Sequence, residues 1–204
     1  MITIIDYGVG NINAFVNVYK RLDIPTKIAN SAADLEDVQK LILPGVGHFD
    51  HAIIELINSG MLNKLNELVL GKRIPVIGIC VGMQLMANSS EEGTHKGLGW
   101  IDASVKKFDE AKIDLVTRLP HMGWNDVIPV VSNPLFDGLE KESLFYFLHS
   151  YFFDCNDKNN VLATTDYGYK FTSVAFSQNI YGVQFHPEKS HKYGEKLLHN
   201  FANL

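Results

Sequence analysis

Cysteine is scarce in this chain, with only Cys80 and Cys155 among 204 residues. Two are too few for a disulfide scaffold, and they lack the C-x-x-C spacing of a zinc or redox site, so each is expected as a free thiol. Positive charge is nowhere concentrated. The 18 Lys and Arg are outnumbered by 23 Asp and Glu, for a formal net charge of −5, and no basic block exists that could follow a phosphate backbone. Nucleic acid is therefore not expected as a partner. Long apolar runs are missing too. The N-terminal stretch Ile2–Ile5 is broken by Thr3 and ends at Asp6, short of both a signal segment and a membrane span. A cytoplasmic protein without membrane contact is the expectation. The eight histidines form no H-E-x-x-H or other compact ligand set, so no metal and no cofactor are expected.

The chain has ordinary globular composition, 46% hydrophobic and 20% charged. No Pro/Gly/Ser-rich linker divides it, so residues 1–204 are read as a single domain. In the first half, short apolar runs alternate with helix-period segments: strands over Ile2–Tyr7, Thr26–Ala29, Lys40–Leu43 and Ile74–Ile79. Helices are expected over Asn11–Leu22, Asp50–Leu70 (broken near Gly60) and Met83–Ala87. This alternation predicts parallel strands with crossover helices, and the unbroken runs LILP and PVIGIC predict strands covered on both faces. After Ala103 the pattern turns to strands and turns: Ser104–Phe108, Asp126–Val131, Leu144–Tyr151, Val161–Tyr167, Ser173–Ser177 and Ile180–Phe185, before a helix at Lys192–Phe201. The fold class expected is α/β, an open, mostly parallel central sheet flanked by helices, with additional antiparallel strands in the second half.

Gly78-Ile79-Cys80-Val81-Gly82 has the form of a nucleophile elbow, with a buried strand before it and a helical stretch after it. An isolated cysteine is more often a structural core residue. Here the two glycines and the strand-turn-helix context point to a reactive one, held at a helix start whose free N–H groups favour a thiolate and can receive an oxyanion. Cys155 lies in a polar stretch without an elbow and is assigned no role. Near the C-terminus, Tyr181-Gly182-Val183-Gln184-Phe185-His186-Pro187-Glu188 reads as a strand ending in His-Pro-Glu. A histidine at a strand end sits on the sheet rim, and Pro187 is expected to hold the chain extended so that Glu188 folds back on the imidazole. Thiol, base and orienting acid are the parts of a nucleophilic triad.

G-x-C-x-G-x-Q, completed by Gln84, together with a distant F-H-P-E, resembles the class I, triad-type glutamine amidotransferases, a flavodoxin-like fold. Within them, four further segments resemble the glutaminase subunits of imidazole glycerol phosphate synthases: Asp6-Tyr7-Gly8-Val9-Gly10-Asn11, Pro44-Gly45-Val46-Gly47-His48-Phe49, Pro120-His121-Met122-Gly123-Trp124-Asn125 and Phe145-Tyr146-Phe147-Leu148-His149-Ser150-Tyr151. The likeness spans essentially the whole chain. It implies hydrolysis of L-glutamine to glutamate and ammonia by Cys80, His186 and Glu188. It further implies oxyanion donors at Val81 and at Val46 or Gly47, in a loop that reorients on activation, and glutamine held by Gly47, Gln84, Glu91, Ser150 and Tyr151. No acceptor domain is readable in the chain, and the resemblance supplies one, a separate (β/α)8-barrel cyclase in a heterodimer that serves histidine biosynthesis. It places Asn11, His121, Met122, Trp124, Asn125, Tyr146 and Lys189 at or near the docking face. Val81 stands where the family has Leu, and Asn11-Ile12-Asn13-Ala14-Phe15 departs from its usual run, so a paralogue that amidates a surface sugar is an open alternative. A stand-alone γ-glutamyl cysteine hydrolase is another.

Overall fold

The computed structural model describes residues 1–114, 118–139 and 143–204. Its first half comprises β1 (Ile2–Ile5), α1 (Ile12–Arg21), β2 (Thr26–Ala29), β3 (Leu41–Leu43), α2 (Phe49–Asn58), α3 (Leu62–Asn66), β4 (Val76–Ile79) and α4 (Val81–Leu85). Every residue of β3 and β4 is buried, which is why both segments are apolar throughout instead of alternating. Asn11 caps α1 by accepting from the Ala14 N–H, and the helix buries Phe15, Val18 and Tyr19 against the sheet. Gly60, at φ +73°, breaks the predicted 50–70 helix into α2 and α3. A wider π-helical turn at Glu67–Gly71 follows.

The second half adds β5 (Ser89–Ser90), β6 (Ala103–Lys107), β7 (His121–Asp126), β8 (Ile128–Pro129), β9 (Leu144–His149), β10 (Tyr151–Cys155), β11 (Val161–Asp166), β12 (Lys170–Ser177), β13 (Ile180–Val183) and α5 (His191–Ala202). The main sheet runs β2-β1-β3-β4-β13-β12-β10-β6-β5, with β11 and β8 branching from β12. Pairing is parallel from β2 through β13 and antiparallel from β13 through β12 and β10 to β6. Its first five positions reproduce the flavodoxin-like order, with β13 as the fifth strand.

Two expectations on the strands are corrected. The strand predicted over Asp126–Val131 lies earlier, at His121–Asp126, with only Ile128–Pro129 beyond it. The segment predicted as one strand over Leu144–Tyr151 divides at Ser150. Before it, β9 pairs with β7 in a separate two-stranded ribbon; after it, β10 enters the main sheet beside β6. A continuous aromatic run hides this change of sheet, because neither half interrupts the alternation.

Close packing of the elbow depends on Gly82. A Cβ there would lie 1.9 Å from the Leu43 carbonyl oxygen, so only glycine lets α4 start against the end of β3. At Gly182 an added Cβ would instead meet the flexible Met83 side chain, 2.5 Å from its Cγ. Gly82→Ala is expected to cost upward of about 3 kcal/mol and Gly182→Ala about 1 kcal/mol. Urea or thermal unfolding of the two variants checks the ranking.

Candidate active site

The carboxyl ends of β3, β4 and β13 open into a cavity of about 490 Å³, lined among others by Val46, Gly47, Cys80, Val81, Gln84, Glu92, Ser150, Tyr151 and His186. This is the edge where ligands of open α/β sheets bind, and the volume is that of a small-molecule site, roughly 300–1,000 Å³. Cys80 follows directly on β4 with φ 54° and ψ −112°, a conformation costly for a non-glycine residue and expected of a strained elbow. Its N–H donates to the Val183 carbonyl at 2.8 Å, continuing the β4–β13 ladder one residue past the end of β4.

That register brings His186 beside Cys80. The imidazole Nδ1 lies 2.8 Å from Glu188 Oε1, and both side chains are almost wholly buried. Burial opposes the imidazolium, yet the interactions with Cys80 and Glu188 outweigh it and hold the imidazole above its ordinary range. Pro187 does not keep the chain extended as predicted. It starts a 3-10 turn over Pro187–Lys189, and this turn carries Glu188 back to the ring. The turn is tied to β9: the His186 N–H donates to the Tyr146 carbonyl at 2.8 Å, and the Tyr146 N–H to Ser190 Oγ at 3.0 Å.

Gln184 was missed in the sequence. It is fully buried, and its Nε2 lies 3.7 Å from Cys80 Sγ, while its Oε1 accepts from Gln84 Nε2 at 3.1 Å. The available signal was strand alternation, which puts Gln184 on the same side as His186 in an otherwise apolar run. Gln84 also donates to the Tyr151 carbonyl at 3.1 Å.

Several predicted site residues stand differently from expectation. Glu91 is exposed and its Oε2 accepts from the Lys107 N–H at 2.7 Å, so it does not line the cavity. Its neighbour Glu92 does, accepting from the Phe49 N–H at 2.8 Å. The acidic group facing the cavity is thus one position further along. The Val81 N–H, predicted as an oxyanion donor, is already used, donating to the Gly45 carbonyl at 3.3 Å. Gly47, at φ +85° with open space around its Cα, is where the loop can turn at least cost. Tyr7 fixes the start of this loop through its hydroxyl, which donates to the Pro44 carbonyl at 2.6 Å.

Of the docking-face residues, Met122 and Trp124 are 63% and 45% exposed, on the outer face of β7. Trp124 stacks on His191, with ring centroids 5.1 Å apart, and Lys189 Nζ lies 5.8 Å over the Tyr146 ring. Asn11 is exposed at the α1 cap. His121 and Asn125 face the other way. Alternation along β7 turns His121 inward, buried between Phe147 and Tyr167, and Asn125 Nδ2 reaches its Nε2 at 3.2 Å. His121 Nδ1 lies 3.1 Å from His149 Nε2. Cys155 is buried in β10 outside the cavity, and burial pushes its thiol up to about 12.

A model of the glutamine amidotransferase class-I family matches residues 3–203. The chain belongs to the class-I glutamine amidotransferases. Relatives named imidazole glycerol phosphate synthase subunit HisH align over the full length of both chains: 53% identical in Bdellovibrio bacteriovorus and 50% in Leptospira interrogans. A solved glutamine amidotransferase, 19% identical, superposes with a TM-score of 0.75 over 99% of this chain and 97% of that one. PurLQS from Thermotoga maritima, 16% identical, gives 0.74 over the same shares. Both structures share the fold. Among the described residues no helix is long and apolar enough to cross a membrane.

Burial pushes His121 down to about 4; for His149, burial and the neighbouring His121 bring it down to about 3 against the opposing bond to the Tyr151 carbonyl. In the unfolded chain both rings instead take up protons as pH falls through about 6.5. Unfolding is then favoured by proton uptake, so stability is lost on acidification from about 6.5 toward 4, by on the order of a few kcal/mol per ring. Melting temperature against pH should fall across that window, and His121→Phe should flatten the slope.

Proposed function

We propose that this chain is the glutaminase subunit of an imidazole glycerol phosphate synthase. It hydrolyses L-glutamine to glutamate and ammonia and delivers the ammonia to a (β/α)8-barrel cyclase, which forms imidazole glycerol phosphate and aminoimidazole carboxamide ribonucleotide in histidine biosynthesis. The observation that carries the chemistry is the convergence of Cys80 and His186 on the cavity lining, with Glu188 buried against the far nitrogen of the imidazole. The full-length identity of about half to synthase subunits supports the acceptor.

In this reading His186 takes the Cys80 proton, and the thiolate attacks the side-chain amide carbon of glutamine. The tetrahedral intermediate collapses as His186 returns the proton to the leaving nitrogen, and ammonia departs. Water activated by the same imidazole then hydrolyses the thioester. Glu188 keeps the Nδ1 proton in place, so that Nε2 serves the thiol. Glu92, whose charge suits the substrate ammonium, and Gln84 hold the amino-acid portion. The oxyanion needs donors, and the Val81 N–H becomes one only when the Gly45 carbonyl turns away from it. The resting site is accordingly poor at the first step.

The trigger is proposed to be the partner. The outer face of the β7–β9 ribbon presents Met122, Trp124, Leu144 and Leu148, all exposed, with Trp124 opposite Tyr146 and Met122 opposite Leu148. An exposed apolar patch of this kind marks an interaction site. Leu148 and Lys189 also line the cavity, so a cyclase on this face would cover the cavity mouth and shield ammonia from bulk water.

Glutamine hydrolysis by the isolated chain and by its complex with the cyclase tests this reading: strong stimulation is expected, and full activity of the isolated chain on γ-glutamyl peptides overturns it. Cys80→Ala should abolish glutamine use while the complex retains synthesis from added ammonium. Glu92→Gln should raise the KM for glutamine by about tenfold or more, as expected for loss of a charged contact, and Glu91→Gln should leave it within about twofold. Trp124→Ala should weaken assembly by about 2 kcal/mol, measurable by titration calorimetry.

A further inference from the structure

The hydrogen bonds behind the cavity wall have a single polarity, and Asn125 sets it. Its Oδ1 accepts from the Asp126 N–H at 2.8 Å and its Nδ2 donates to the Asp166 carbonyl at 2.8 Å. The second Nδ2 hydrogen therefore points at His121 Nε2, 3.2 Å away, which must be an acceptor. In a neutral imidazole the proton then sits on Nδ1. From there it reaches His149 Nε2 at 3.1 Å, again an acceptor, which leaves the His149 proton on Nδ1, 2.7 Å from the Tyr151 carbonyl oxygen. Each ring is satisfied in one neutral tautomer only. A second proton on either would aim one N–H at another.

Gln84 meets this chain from the cavity side. One Nε2 hydrogen goes to the same Tyr151 carbonyl and the other to Gln184 Oε1, each at 3.1 Å. Both lone pairs of the carbonyl and both amide hydrogens are thereby used. What Gln84 has left for the cavity it lines is Oε1, an acceptor. Glutamine offers N–H groups at both ends, so this amide orientation is the productive one.

We propose that His121 and His149 are positioning residues of the glutamine site: together they clamp the Tyr151 carbonyl and so hold the Gln84 amide with Oε1 toward the substrate. The proposal rests on the glutaminase reading above. A purely structural explanation fits the pair poorly. Phe108, Phe147 and Phe171 surround the two rings, and in so apolar a setting two buried imidazoles cost desolvation that phenyl rings would not. The pair also lies on the inner face of the ribbon whose outer face is the proposed docking surface, so the relay begins where a partner would press.

The test compares His149→Phe, which keeps the ring and removes both nitrogens, with His149→Asn, whose Nδ2–H can replace the lost donor to Tyr151. Both are assayed in complex with the cyclase partner. His149→Phe should raise the KM for glutamine by about tenfold or more, with kcat changed less, and slow labelling of Cys80 by the glutamine-shaped affinity label diazo-oxonorleucine by a similar factor. Alkylation of Cys80 by iodoacetamide, which does not use the amino-acid site, should change by less than about threefold, a flag for intact chemistry. His149→Asn should recover most of the loss. An unchanged KM in His149→Phe, equal slowing by both reagents, or an Asn variant no better than Phe overturns the clamp. If the unaltered complex neither hydrolyses glutamine nor takes up diazo-oxonorleucine, the glutaminase reading itself falls and the clamp with it.

Discussion

Parallel pairing of β4 with β13 is the constraint on which the site depends. Val183 lies opposite Ile79, and one further bond, from the Cys80 N–H to the Val183 carbonyl, carries the ladder beyond the end of β4. The chain leaving β13 then passes Cys80 residue by residue, with Gln184 against the sulfur and His186 beside it. A slip of one residue would turn both side chains to the other face of the sheet. The elbow at Cys80 is strained, and strain of this kind persists only when surrounding packing overdetermines it. Here the packing is Gly82 against the Leu43 carbonyl on one side and β13 on the other.

The β7–β9 ribbon has two faces with opposite chemistry. Outside, Met122, Trp124, Leu144 and Leu148 are exposed; inside, His121 and His149 lie among aromatic rings and reach the cavity wall. A two-stranded ribbon is marginal alone, and this one is held by that inner face and by the bonds from the His-Pro-Glu turn to Tyr146. The proposed partner surface, His186 and the cavity are thus mechanically continuous. The closed Val81 N–H fits such an arrangement, because a glutaminase that waits for its acceptor does not release ammonia into water.

Much of the fold was readable along the chain. Doubly covered strands leave unbroken apolar runs, and Gly60 interrupts a helical period where the backbone needs a left-handed turn. The elbow and the pairing of His186 with Glu188 were visible because each is a local motif of distinctive residue types, whereas the 3-10 turn that brings Glu188 back to the ring was not, Pro187 being compatible with extended and turn backbone alike. Less visible was the end of one sheet and the start of another at Ser150, since alternation is the same in both. The choice between Glu91 and Glu92 was also hidden, because the two carboxylates are chemically identical. Their directions follow from the β5–β6 pairing, which the Glu91 N–H extends by donating to the Val105 carbonyl at 2.9 Å.

By itself, then, the sequence determined the parallel core, the strained turn at Cys80 and the His186–Glu188 unit, since each is specified by spacing over a few residues and by side-chain chemistry. The tertiary structure alone decided that Gln184 touches the sulfur, that His121 turns inward to His149, that Glu92 and not Glu91 faces the cavity, and that the Val81 N–H is occupied. These depend on register between strands far apart in the chain and on which polar groups remain unpaired after packing, quantities that no local pattern carries.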